Sequence, residues 1–292
     1  MINTMAVMDF KEFILNNEAL IRLSFFWAVF VVMAIWEVLA PRRVLTVSKL
    51  MRWSNNLALV FLNTLILRAL FPAAAVGVAV FANEQGWGLF NYYQVSPLLA
   101  VVVSVVVMDG VIYLQHVMVH AVPLLWRLHR VHHADPDYDV TTGSRFHPIE
   151  IMLSMLIKFA TIFLLGPPVT AVVIFEVMLN ATAMFNHGNV LLNATLEKYL
   201  RLFLVTPDMH RVHHSVEPDE TNSNFGFSLP WWDYLFGTYR AQPRKGHVAM
   251  SIGITAFSQS KQVSWLSGML LMPFMVKDSR YSINERQKKL GH

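Results

Sequence analysis

Ten of the twelve histidines in this 292-residue chain fall between His116 and His214. Their spacing is more telling than their number. His116 and His120 stand four apart, and His129, His132 and His133 fall at i, i+3, i+4, a pattern repeated by His210, His213 and His214. On a helix these intervals put imidazoles on one face, about 5–6 Å apart at Cβ. The second and third clusters share the pentapeptide His-Arg-Val-His-His, at 129–133 and 210–214. One such pair alone is ordinarily an exposed polar face or a helix end. Three clusters are different, because partly buried imidazoles need partners and protonated neighbours repel. Shared metal binding explains them. Neutral imidazole suits Zn, Cu, Fe or Ni, and eight or more histidines exceed the four ligands of a closed zinc site. They suffice for two metals with four or five ligands each. The chain has no cysteine, so a thiolate site, a disulfide framework and a cysteine nucleophile are excluded.

The elements that carry these residues must sit in a membrane. Hydrophobic residues make up 55% of the chain and charged residues 14%, with mean hydropathy +0.44. Soluble domains carry roughly 25% charged residues, so a soluble globular protein, a disordered chain and a fibrous protein are excluded. The net charge of +4 is modest and scattered near the ends of apolar runs, which suits a membrane surface and not nucleic acid. A helix needs about 20 apolar residues to cross the bilayer core. Residues 19–40 form one such run, 57–82 a second, interrupted by Arg68 and Pro72 and so kinked or half-interfacial, and 97–115 a third. A fourth stretch, 149–185, is broken by Gly166-Pro167-Pro168 and reads as a helical hairpin. Asp109, Arg68 and Lys158 interrupt these spans. Residues 263–275 are apolar but short, an interfacial or docking helix. Acidic and basic residues before position 19 argue against a cleavable signal peptide. The loop with Arg42, Arg43, Lys49 and Arg52 is basic, whereas residues 83–96 lack Lys and Arg. The positive-inside rule therefore puts the first loop, and with it the histidine clusters, in the cytoplasm.

The clusters HVMVH (116–120), HRVHH (129–133) and HRVHH (210–214) resemble those of the fatty acid hydroxylase/sterol desaturase superfamily of membrane di-iron oxygenases. LWRLHRVHHADP (125–136), RFHPIE (145–150), FNHGNV (185–190), TPDMHRVHHS (206–215) and NFGFSLPWWDYLFGTY (224–239) extend the resemblance over roughly residues 96–243. It implies an all-α integral membrane bundle with a cytosolic, histidine-rich dimetal cap. It also implies two iron ions that use O2 and two electrons to hydroxylate or desaturate a lipid, with zinc as a substitute metal. The lipid would be a sterol, fatty acyl chain, ether lipid or isoprenoid. The electrons would come from a separate reductase with a ferredoxin or a cytochrome b5-like protein. The implied ligands are His116, His120, His129, His132, His133, His210, His213 and His214, with His187 as a further one. His147 matches a motif position, as a ligand, a donor to one, or a residue that starts a helix before Pro148. The membrane would be a bacterial inner membrane or the endoplasmic reticulum.

Asp109, Tyr113, His116 and His120 share one helix face. Asp109 then either hydrogen-bonds a ligand imidazole or makes a polar contact between helices, with Arg68 as a candidate. Asp208 is expected to cap a helix, Trp231, Trp232 and Tyr234 to lie at the membrane–water interface, and His247 and His292 to be surface residues. The expected division is a transmembrane region at 1–95, the dimetal domain at 96–243 with its hairpin at 149–186, and a tail at 244–292. Two other classes compete, a divalent-metal transporter and a zinc-dependent membrane hydrolase. The first needs polar residues along a midplane pathway, and the second a glutamate within its histidine motif, which neither pentapeptide has.

Overall fold

The computed structural model describes residues 2–257, 260–275 and Ile283, and among them the chain is helical, with two isolated β-bridges and no strand. The first helices are α1 (Ile2–Leu39), α2 (Lys49–Leu70), α3 (Ala74–Glu84), the four-residue α4 (Leu89–Tyr92) and α5 (Pro97–Ala121). They are followed by α6 (Pro123–His133), α7 (Pro148–Leu165) and α8 (Val169–Asn186). Short helices then succeed one another: α9 (Ala194–Leu200), α10 (Pro207–His213), α11 (Pro218–Thr221), α12 (Trp231–Phe236), α13 (Gly246–Ala249), α14 (Ser260–Val263) and α15 (Leu266–Leu271).

Among the described residues, five segments are long and apolar enough to cross a membrane: Glu12–Leu39, Lys49–Tyr92, Pro97–Ala121, Pro148–Leu165 and Val169–Asn186. The chain is a multi-pass integral membrane protein. Its outward surface agrees, because Phe25, Val32, Phe61, Leu98 and Leu164 are more than half exposed. The second segment breaks between α2 and α3 at Pro72, which lacks the N–H a continuing helix needs. The hairpin forms where it was expected: Gly166 caps α7 in the left-handed conformation (φ 63°), with the Trp87 carbonyl packed where a side chain would stand. Glu176 also interrupts the hairpin, and Lys158 and Arg22 neutralise it at 2.7 and 3.1 Å.

Helix α8 is the spine: α1, α5 and α3 all pack on it, and α6 packs on α5. The ends of α1 and α8 are tied by backbone bonds, Arg42 N–H to Asn189 O and Leu191 N–H to Ala40 O. Glu37 accepts from the amides of Val140 and Asn189 at 2.7 and 2.9 Å, which fixes both loops against α1. Residues 254–257 and 260–275 pack over Trp126, Val131 and Ala134, so the apolar tail docks on the histidine-bearing layer. His292 lies outside the described residues.

Candidate metal centre

Four local features bring the histidines together. The last turns of α5 carry His116 and His120, and the extended Val122 before Pro123 turns the chain into α6. Helix α6 carries His129, His132 and His133, and His187 caps α8. Helix α10, whose N-cap Thr206 accepts from the Met209 amide at 3.2 Å, carries His210 and His213 and ends at His214. Gly143 lets the following loop lie against His187, since a Cβ there would meet the Ala183 carbonyl. None of these nine histidines is more than 6% exposed.

They form two groups. His116, His120, His129, His133 and His213 make the first; His132, His187, His210 and His214 make the second, and within each the ligand atoms lie within 4.8 Å of one another. The two pentapeptides are interleaved. The i, i+4 pair of α6 belongs to the first group and its middle histidine to the second, while α10 does the reverse. Two nitrogens bound to one metal at about 2.1 Å each are at most about 4.2 Å apart, so each group needs only a small contraction to close on an ion.

The outer nitrogens are held by the protein. His116, His213 and His187 place Nδ1 2.8 Å from the carbonyls of Phe225, Ser223 and Ala183, and His129 Nδ1 lies 2.6 Å from Glu150 Oε1. An Nδ1–H donating to these oxygens fixes the tautomer that leaves Nε2 free as a ligand. The inner nitrogens then face one another: His120 and His133 Nε2 are 3.2 Å apart, and His187 Nε2 is 3.1 Å from the Nε2 of both His132 and His210. Nε2 of His116, His129 and His213, and both nitrogens of His214, are buried without a hydrogen-bond partner among the described residues. Orphaned buried nitrogens are costly, and shared metal ions would satisfy them. Burial first, then the neighbouring imidazoles, pushes the pKa of His132, His133, His210 and His214 well below the ordinary histidine value. Burial pushes His187 and His213 down to about 3. Neutral imidazole is the form that binds metal.

A buried ionic cluster supports the loop after α6. Arg52 of α2 bonds both oxygens of Asp135 at 2.8 Å and also reaches Asp139. Asp137 accepts from the amides of Thr46 and Val47. Tyr138 stacks on His187 with ring centroids 5.4 Å apart and donates to the Asn186 carbonyl at 2.6 Å. Beside the histidines, a cavity of about 250 Å³ opens among α1, α2, α5, α7 and α8 and touches His116, His129 and His132.

Other expectations are corrected. Asp109 makes the polar contact between helices, with Trp232 of α12, and touches neither a histidine nor Arg68. It accepts from the amides of Ser228 and Leu229 at 3.3 and 3.2 Å and from Trp232 Nε1 at 2.9 Å, and so pins the loop before α12 to α5. His147 joins neither group: as N-cap of α7 it accepts from the Ile149 amide at 3.2 Å, and its Nε2 lies 3.3 Å from the Leu270 carbonyl. Thr206, not Asp208, caps α10, and Asp208 pairs with Arg42 and Arg211. His247 is buried, 3.6 Å from Asp208, because α13 folds over α10. Trp231 and Tyr234 are 44% and 43% exposed, as an interfacial position requires, but Trp232 turns inward to Asp109. Glu150 was missed, although it stands in the motif RFHPIE. The signal was a carboxylate three residues after a helix-starting histidine, in the first turn of α7.

Helical spans with two imidazole groups at one end define a membrane protein built to hold metal. Residues 101–238 match the family described as fatty acid hydroxylase. The chain is 30% identical over 190 residues to ornithine lipid hydroxylase OlsE of Rhizobium tropici, covering 65% of this chain and 55% of that one. It is 32% identical over 145 residues to alkylglycerol monooxygenase of Xenopus tropicalis, covering 50% of this chain and 31% of the relative. The Homo sapiens alkylglycerol monooxygenase is 28% identical over 154 residues, covering 51% and 32%. The chain thus spans about half the length of the first relative and about a third of the others. No solved structure matches it.

Proposed function

We propose that this protein is a membrane-bound, O2-dependent oxidoreductase that hydroxylates or desaturates a lipid. The observation that carries this is the pair of buried imidazole groups, five and four strong, at the wall of a cavity between the spans. Bound iron, one ion per group, would supply O2 activation and hydrogen removal from an unactivated C–H bond, which no side chain here can perform. The first ion would be held by His116, His120, His129, His133 and His213, and the second by His132, His187, His210 and His214. Zinc is the expected substitute, since imidazole binds it readily.

The chain's own residues do the rest. Glu150 and the carbonyls of Phe225, Ser223 and Ala183 aim the imidazoles. Asp109 secures the loop that supplies Phe225. The apolar spans keep the cavity out of bulk water and let a lipid enter sideways. The names of the relatives, an ornithine lipid hydroxylase and alkylglycerol monooxygenases, support a polar membrane lipid as substrate. In this reading residues 96–243 are the catalytic unit, flanked by 1–95 and 244–292. The centre faces the cytoplasm, and a separate reductase chain delivers two electrons.

A metal transporter is disfavoured because two acidic residues within the spans are engaged: Asp109 by a loop and Trp232, Glu176 by Lys158 and Arg22. The test is lipid oxidation by purified, iron-loaded protein in nanodiscs with a reductase system under 18O2. A hydroxylated product should carry the heavy oxygen, and a desaturated one should not. Product formed without O2, or labelled only from water, would instead mark a hydrolase.

A further inference from the structure

The cavity beside the first histidine group is lined by more than hydrocarbon. Between apolar Ile112, Val119 and Leu179 stand Asn63, Gln115, Ser154, Asn180 and Glu150. Three of these polar residues carry an oxygen that is buried without a hydrogen-bond partner among the described residues: Asn63 Oδ1, Gln115 Oε1 and Glu150 Oε2. For two of them, the partner of the other polar atom identifies the free one. Glu150 Oε1 is taken by His129 Nδ1 at 2.6 Å, and Asn63 Nδ2 donates to the Phe146 carbonyl at 2.9 Å. Both Glu150 and Asn63 are more than nine-tenths buried. Unpaired acceptors around one cavity in a lipid-embedded chain are costly unless the occupant brings donors.

We propose that the cavity takes its lipid by a polar part carrying O–H or N–H donors, with Glu150 Oε2 and Asn63 Oδ1 as the anchors. The C–H bond presented to the metal centre then lies next to a polar group and not in mid-chain. Glu150 ties the two jobs together, because one oxygen orients His129 and the other receives the substrate. A plain hydrocarbon segment leaves both anchors unpaired, so the site rejects it. This inference rests on the reading above that a lipid is oxidised in this cavity.

The test uses the full chain in nanodiscs and reads binding separately from turnover. The probes are a 1-O-alkylglycerol with free hydroxyls, its di-O-methyl analogue, an amine-bearing lipid and its N-trimethylated form. The wild-type protein should bind a donor-bearing lipid at least about tenfold tighter than its methylated partner. The pair with the larger ratio identifies the donor as hydroxyl or ammonium. In Glu150→Gln the amide oxygen still accepts from His129 while an NH2 replaces the free oxygen. That variant should keep its metal content and narrow the ratio to about twofold, and Asn63→Leu should narrow it as well. Equal affinity for both members of each pair in the wild type would overturn the proposal, as would an undiminished ratio in Glu150→Gln. Metal loss in Glu150→Gln would overturn the division of labour between the two oxygens. A donor preference without O2-dependent oxidation would uphold Glu150 and Asn63 as anchors for the lipid while refuting the catalytic reading and the placement of its C–H bond.

Discussion

Replacing Arg52 by Met strips the buried loop after α6 of its counter-charge. The guanidinium, fully buried, bonds Asp135 twice at 2.8 Å, Thr142 Oγ1 at 3.2 Å, and Asp139. Burial alone would raise the Asp135 carboxyl, yet Arg52 and Arg145 hold it down at about 2. Without Arg52, Asp139 loses its ion-pair partner and Asp135 keeps only Arg145 at 3.7 Å. Breaking a buried pair by removing one partner costs about 3–5 kcal/mol, a large share of a net stability of about 5–15 kcal/mol. The exposed pair Arg244–Asp219 offers the contrast, and Arg244→Ala should cost about 0–1 kcal/mol. Arg52→Lys should recover only part of the loss, because an ammonium cannot make the two-pronged contact to Asp135. The assay is denaturant unfolding of detergent-purified protein with all variants metal-free, since bound metal would mask the difference. Asp135 follows His133 by two residues, so Arg52→Met should also bind metal less tightly. A midpoint for Arg52→Met no lower than that for Arg244→Ala would refute the reasoning.

Asp109→Asn should weaken the hold on Ser228, Leu229 and Trp232 and cost about 1–3 kcal/mol, with metal content unchanged by elemental analysis; metal loss would give Asp109 a direct role at the centre. Stability of the metal-free protein should fall in acid. His187 and His213 sit at about 3 and His247 at about 4 when folded, against about 6.5 unfolded. The unfolded chain therefore binds more protons below pH 6.5, and stability present above that pH is lost on the way down through 4 and 3. His247→Leu should flatten the fall between 6.5 and 4, and an unchanged pH profile would count against burial as the cause. For topology, tags after Met51 and within the loop 134–146 should report one compartment and a tag at Gln85 the other.

Much of the fold was written in the apolar runs. The spans end at residues that stop helices for reasons visible in the sequence, Pro41 after α1 and Gly166-Pro167-Pro168 in the hairpin. The histidine spacing also located the centre, because i, i+3 and i+4 positions on short helices converge wherever the helices meet. The spacing did not show that His132 and His213 cross to the group opposite their pentapeptide neighbours. That exchange depends on how α6 and α10 face each other, which local periodicity does not encode. The partners that aim the rings were hidden for the same reason. Phe225 and Ser223 act through carbonyls, which any residue type supplies, and Glu150 meets His129 across 21 positions. Asp109 was singled out correctly as a charge needing a partner within a span, but its partners are amides of a loop more than a hundred residues away. His247 looked like a surface residue because its own helix is four residues long, and burial comes from α10 beneath it.

Metal counting on single-histidine variants tests the two-group centre most directly. Purified wild-type protein should carry about two transition-metal ions per chain. His213→Ala should deplete the first group and His210→Ala the second, each leaving about one ion, and the double variant should carry close to none while still inserting into the membrane. A wild type with no bound metal, or variants that keep both ions, would contradict the assignment.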